Sequence, residues 1–136
     1  MKQTYLVDTN ILLRYLMNDD ARQGPAVKRL IEQATCGEVA LEVPQVAILE
    51  AVFTLQSYYQ VAREDIGREL LKVLRAEGVA LTCPDWILDA LEYYRTRNVS
   101  FGDACLAAEA AAGGKAIASF DRGFKLFPEI ERFEPM

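Results

Sequence analysis

The sequence predicts an α/β protein in which a parallel sheet is covered on both faces by helices. Five short β-type runs, at residues 3–8, 38–43, 79–83, 116–120 and 130–134, are separated by longer helical patterns. Strands alternating with helices imply crossover-connected parallel strands rather than hairpins. With 136 residues, 51% of them hydrophobic and 10% aromatic, the chain can build the core of one compact domain spanning residues 1–136.

Each element has its own signal. The first run, QTYLVD, leads into a helical pattern over 10–18, and a second helix is expected over 22–35. The run EVALEV (38–43) ends at Pro44, a residue tolerated in a first helical turn, so the next helix is placed over 44–60. A helix over 63–77 stops at Gly78, before VALTC (79–83). Pro84 opens a helix over 84–97, and an alanine-rich helix over 102–112 stops at Gly113-Gly114. AIASF (116–120), a short turn near 123–127 and the weak run IERFE (130–134) complete the order. No linker, repeat or low-complexity tract interrupts it.

Composition narrows the chemistry. Cys36, Cys83 and Cys105 are odd in number, widely spaced and without a CxxC pair, which argues against a disulfide framework or a thiolate zinc site. The chain holds no histidine, so Ser-His-Asp and Cys-His catalysis and the common zinc ligand sets are excluded. No apolar run reaches the roughly 20 residues of a membrane span, and MKQTYLVDTN lacks the pattern of a secretory signal; a soluble, cytoplasmic protein is expected. A net charge of −5 argues against a broad basic surface for nucleic acid but leaves room for a local site. Any catalysis must run on carboxylates.

Four acids occupy positions where such chemistry fits. In open parallel sheets, sites form beyond the carboxyl ends of the strands. Asp8 follows the first strand run and Asp121 follows AIASF, although Asp8 also suits a helix N-cap, as does Asn10, and Asp121 suits an Asp-x-Gly turn. Glu50 shares a helical face with Val46, Leu49 and Phe53, which places a glutamate on an apolar stripe. Asp103 lies three residues after Ser100, the spacing of a capping box. Two carboxylates about 4 Å apart repel by about 4 kcal/mol at an effective dielectric near 20, so a cluster of them needs neutralising. A hard divalent cation with oxygen ligands, Mg²⁺ or Mn²⁺, meets that need and can activate water for attack on phosphorus.

VDTNILLRYL, the glutamate of VAILEAVFTL, FGDACLAAEA and ASFDRGF, in that order from Tyr5 to Phe124, resemble the PIN-domain ribonucleases and specifically the VapC toxins of toxin–antitoxin pairs. The resemblance implies a three-layer α/β/α sandwich around a central parallel sheet of four to five strands. It implies hydrolysis of RNA phosphodiesters by a metal-activated water, leaving a 5′-phosphate and a 3′-hydroxyl. It assigns Asp8, Glu50, Asp103 and Asp121 to the metal-binding quartet, all four intact, with Asn10 and Ser119 in assisting polar positions. A homodimer and a cognate antitoxin that covers the site are further implications. Arg14, four residues after Asn10, is a phosphate candidate or else a salt-bridge partner of Asp19 or Asp20; Arg122 and Lys125 are further phosphate candidates.

Two other functions compete. A haloacid-dehalogenase-like phosphatase also uses an Asp after its first strand but expects DxD, where this chain has DTN, and a receiver domain would need an acid pair and a phosphorylated Asp that EVALEVP does not offer. A non-catalytic interaction module would use its acids as caps and present Phe53, Leu55, Tyr58 and Tyr59 to a partner.

Overall fold

The computed structural model describes residues 2–136. Strands β1 (Gln3–Leu6), β2 (Val39–Val43) and β3 (Val79–Leu81) pair in parallel in the order β1-β2-β3, with Gln3 opposite Val39 and Val43 opposite Leu81. Helices α1 (Thr9–Met17) and α2 (Gln23–Thr35) carry the chain from β1 to β2, and α3 (Gln45–Ser57) and α4 (Arg63–Leu74) carry it from β2 to β3. Parallel neighbours need such crossovers because the chain must return to the same sheet end before running in the same direction. Helices α5 (Trp86–Thr96) and α6 (Phe101–Gly113) follow, then β4 (Ile117–Ala118), a 3-10 turn over Arg122–Leu126, and β5 (Arg132–Phe133). Among the described residues no helix is long and apolar enough to cross a membrane.

Local chemistry sets the boundaries. Val7 donates its N–H to the Glu42 carbonyl at 2.8 Å, so the extended chain runs past β1 and delivers Asp8 to the N-cap of α1. Asn18 closes α1 in the left-handed conformation, its N–H donating to the Arg14 carbonyl. Asp20 accepts from the N–H groups of Arg22 and Gln23 and so satisfies two donors at the start of α2. Pro44 stands at the N-cap of α3, and Ser100 caps α6, which ends at Gly114.

The sheet differs from the expected four to five strands: the main sheet has three. β4 pairs in parallel with β5, Ile117 opposite Arg132 and Ala118 opposite Phe133, and forms a separate two-stranded sheet. Arg132 reinforces that pairing by donating to the Ser119 carbonyl at 2.9 Å. Among the described residues the outer edge of β1 is left unpaired, and all four of its residues are exposed. Hydrophobic alternation counts every β-type run alike, but strands of two residues offer too few ladder bonds for their pattern alone to fix a partner.

The core joins α3 to the later helices. Ile48, Val52 and Leu55 of α3 pack in one buried cluster with Ile66, Leu70 and Leu74 of α4, Ile87, Leu91 and Tyr94 of α5, and Ala104, Ala107 and Ala108 of α6. The alanines keep α6 thin enough to lie close against α5. The stripe of Val46, Leu49, Glu50 and Phe53 is not the core face: Val46 and Phe53 are 59% and 71% exposed, while Ala47, Ile48, Ala51, Val52 and Leu55 are buried. Nor do Phe53, Leu55, Tyr58 and Tyr59 form one partner surface, since Leu55 is core and the Tyr59 hydroxyl bonds Asp19 at 3.1 Å.

Gly78 and Gly37 share a φ of 82°, but a Cβ on Gly78 would lie 2.1 Å from the Ala34 carbonyl oxygen, whereas one on Gly37 meets nothing within 4 Å. Gly37→Ala is expected to cost about 1–2 kcal/mol, the ordinary left-handed penalty, and Gly78→Ala clearly more. Urea unfolding of the two variants measures the difference; equal losses would mean that the close approach of β3 to the end of α2 is unimportant.

Candidate active site

The first pair of acids gathers at the carboxyl end of β1. Asp8 takes the N-cap position with extended backbone (φ −81°, ψ 157°), yet its side chain makes no capping hydrogen bond. Asp8 is thus the N-cap of α1 by position, but its carboxylate is not used to cap the helix. Glu50 is exposed on α3, and one of its oxygens accepts a hydrogen bond from the Thr9 hydroxyl at 3.0 Å. Asp8, Thr9 and Glu50 line one cleft of about 290 Å³, walled by Leu6, Val7, Pro44, Val46 and Ala47. Thr9 is a site residue that sequence reasoning missed; its only signal there is its place between Asp8 and Asn10.

The second pair forms where α6 meets the 3-10 turn. Ser100 accepts from the Asp103 N–H at 3.1 Å, as the capping-box spacing implies, which fixes the first turn of α6. Asp121 caps the 3-10 turn, its Oδ1 accepting from the Gly123 N–H at 2.7 Å, and its own N–H donates to the Ser119 hydroxyl at 2.9 Å. Thus the Asp-x-Gly turn role is real, and it holds Asp121 rather than competing with other uses. The carboxyls of Asp103 and Asp121 approach closely enough to interact directly. Burial, then the close Asp121 carboxyl and its charge, push the Asp103 carboxyl above its ordinary value, and the Ser100 hydroxyl pulls it partly back.

The four acids thus stand as two pairs, and among the described residues no three Asp, Glu or Cys side chains converge as one ligand cluster. The division follows the sheets: Asp8 leaves the three-stranded sheet and Asp121 leaves the two-stranded one. The donors are all oxygens, and two carboxyls in contact with no basic side chain among the groups that perturb Asp103 fit a hard divalent cation.

The remaining candidates divide. Asn10 lies in the first turn of α1 beside Asp8, and Ser119 supports Asp121 through its hydroxyl. Arg122 and Lys125 are exposed on the turn that Asp121 opens. Arg14 is committed elsewhere: its guanidinium donates to Asp19 at 2.5 Å and to the Tyr59 hydroxyl at 3.4 Å, the salt-bridge alternative rather than a phosphate contact. Arg63 carries no signal in the sequence. Its Nη1 donates to the carbonyls of Tyr94, Arg97 and Val99 at 3.0, 2.9 and 2.7 Å, and so holds the loop that delivers Ser100 and Asp103.

A carboxyl whose folded pKa exceeds its unfolded value binds its proton more tightly when folded. Its favourable contribution is complete below the unfolded pKa and is lost as pH rises through the folded one. In metal-free buffer Asp103→Asn is therefore expected to raise the melting temperature at pH 7, with the gain shrinking below about pH 4. Calorimetry across that range decides; a variant less stable than its parent at pH 7 would show that Asp103 is not repelled there.

The comparisons agree with this architecture. The model of the PIN domain family matches residues 5–130. The chain is 29% identical over 121 residues to the VapC ribonuclease of Aquifex aeolicus (strain VF5), an alignment that covers 88% of this chain and 89% of that protein. The matched span runs from within β1 almost to β5 and takes in Asp8, Glu50, Asp103 and Asp121. The chain belongs to the PIN domain family.

Proposed function

We propose that this protein is a metal-dependent ribonuclease, the toxin of a toxin–antitoxin pair, which hydrolyses RNA phosphodiesters and leaves a 5′-phosphate and a 3′-hydroxyl. The observation that carries the reading is the contact between Asp103 and Asp121, two carboxyls held together at a cost that makes sense if a cation relieves it. Family membership and the likeness to a VapC ribonuclease support it. Asp8, Glu50, Asp103 and Asp121 would hold Mg²⁺ or Mn²⁺, which would supply acidification of a water and charge balance for the phosphate oxygens.

The chain's own side chains have separable tasks. Asp8 keeps its carboxylate free at the end of a rigid strand. Thr9 orients Glu50 by donating to it, and Ser119 and Gly123 fix Asp121 from both sides. Arg122 and Lys125, exposed on the Asp121 turn, contact RNA phosphates, while Asn10 assists beside Asp8. An antitoxin protein and a second copy of the chain complete the proposal. Leu6 and Val46 wall the Asp8–Glu50 cleft and Phe53 lies one turn beyond Glu50, all exposed, an apolar rim that an inhibitor covering the cleft would bury.

RNA cleavage is expected to require Mg²⁺ or Mn²⁺, to stop on addition of EDTA, and to fall by about 100-fold or more in Asp8→Asn and Asp103→Asn while both variants stay folded. End-group analysis of the products should find the 5′-phosphate. Cleavage that persists in EDTA, or that ignores both substitutions, would overturn the mechanism; loss of both RNA cleavage and metal binding in the parent would leave an interaction module.

A further inference from the structure

We infer that Arg97 is a positioning residue that sets the spacing of Asp103 and Asp121, an inference that rests on the metal-site reading above. Arg97 is the C-cap of α5, three residues before the Ser100 cap of α6. Its side chain crosses to the segment that follows Asp121. There Nη1 donates to the Leu126 carbonyl at 3.0 Å and to Glu129 at 2.8 Å, and the guanidinium lies over the rings of Tyr93 and Phe127 at 4.5 and 4.9 Å from their centroids. Leu126 ends the 3-10 turn that Asp121 caps, and Phe127 is wholly buried.

The main chain of the same residue is anchored separately, to α4 and α5 and to its own loop. The Arg97 N–H donates to Tyr93, and its carbonyl accepts from Arg63 of α4 and from the Val99 N–H, both at 2.9 Å. One residue therefore ties the loop that delivers Asp103 to the turn that delivers Asp121. Its planar guanidinium suits the post, since it lies against the edge-to-face pair of Tyr93 and Phe127, whose ring centroids are 5.1 Å apart, while Nη1 bonds Leu126 and Glu129. Lysine retains the charge but neither the plane nor the fork.

The test reads Mn²⁺ affinity directly, by loss of the free-ion electron paramagnetic resonance signal, in the parent, Arg97→Gln, Arg97→Lys and a remote core control, Val27→Ala on α2. Arg97→Gln is expected to weaken Mn²⁺ binding about 10-fold, Arg97→Lys less, and Val27→Ala not at all. The glutamine variant is one unit more negative than the parent, so simple charge would strengthen cation binding and works against the expected result. Parent-like affinity in a folded Arg97→Gln, or equal weakening in Val27→Ala, overturns the inference and leaves the metal site standing. Should Arg97→Gln fail to fold, Arg97→Lys takes its place: weakened binding supports the inference and parent-like affinity overturns it. A folded parent that binds no Mn²⁺ overturns the metal-site reading, and the inference with it.

Discussion

Two carboxyls in contact are the constraint around which the C-terminal half of the molecule is organised. Asp103 and Asp121 come from segments 18 positions apart by their numbering, and their mutual repulsion would separate them if either segment were loose. Each is instead pinned by local bonds, Asp103 through the Ser100 cap and Asp121 through Ser119 and Gly123. Behind these bonds lies the packed body of α5 and α6, with Phe124 and Phe127 buried under the turn. A site that keeps like charges together draws on stability built elsewhere, and here the reservoir is the apolar cluster that joins α3 to α6.

Tyr94 shows how that reservoir connects the helix of Glu50 to the helix of Asp103. Fully buried on α5, it donates its hydroxyl to Gln56 at 2.6 Å, packs edge-on against Phe101 and receives the Arg63 guanidinium over its ring. Gln56 lies on the helix of Glu50, and Phe101 opens the helix of Asp103. Burial raises the Tyr94 hydroxyl above its ordinary value, so it remains a donor throughout the neutral range. The many ion pairs across α4 and α5, such as Arg68 with Asp65 and Arg95 with Glu64, are solvent-exposed and add little by comparison.

The element order was legible in the sequence because hydrophobic periodicity is local, and all six helices and five strands stand within a few residues of their expected places. Strand partnership was not, since β4 and β5 contribute two residues each and pattern cannot choose between β1 and β5 as a neighbour for β4. α3 misled because it is apolar on most of its surface, so the stripe through Glu50 looked as much like a core face as the true one through Ile48 and Val52. The acids were legible as a set, and Ser100 by its spacing. Arg63 and Arg97 were invisible because their partners lie about 30 positions away and nothing local marks an ordinary surface charge as a main-chain clamp.

The bare outer edge of β1 has a colloidal consequence. Among the described residues the peptide groups of β1 that face away from β2 have no strand partner, beside the exposed side chains of Tyr5 and Leu6, a short template on which another strand can add. The net charge of −5 opposes strand addition along that edge, and the repulsion reaches only about 10 Å at 0.1 M salt and about 3 Å at 1 M. Raising the ionic strength therefore weakens the repulsion that opposes strand addition along this edge.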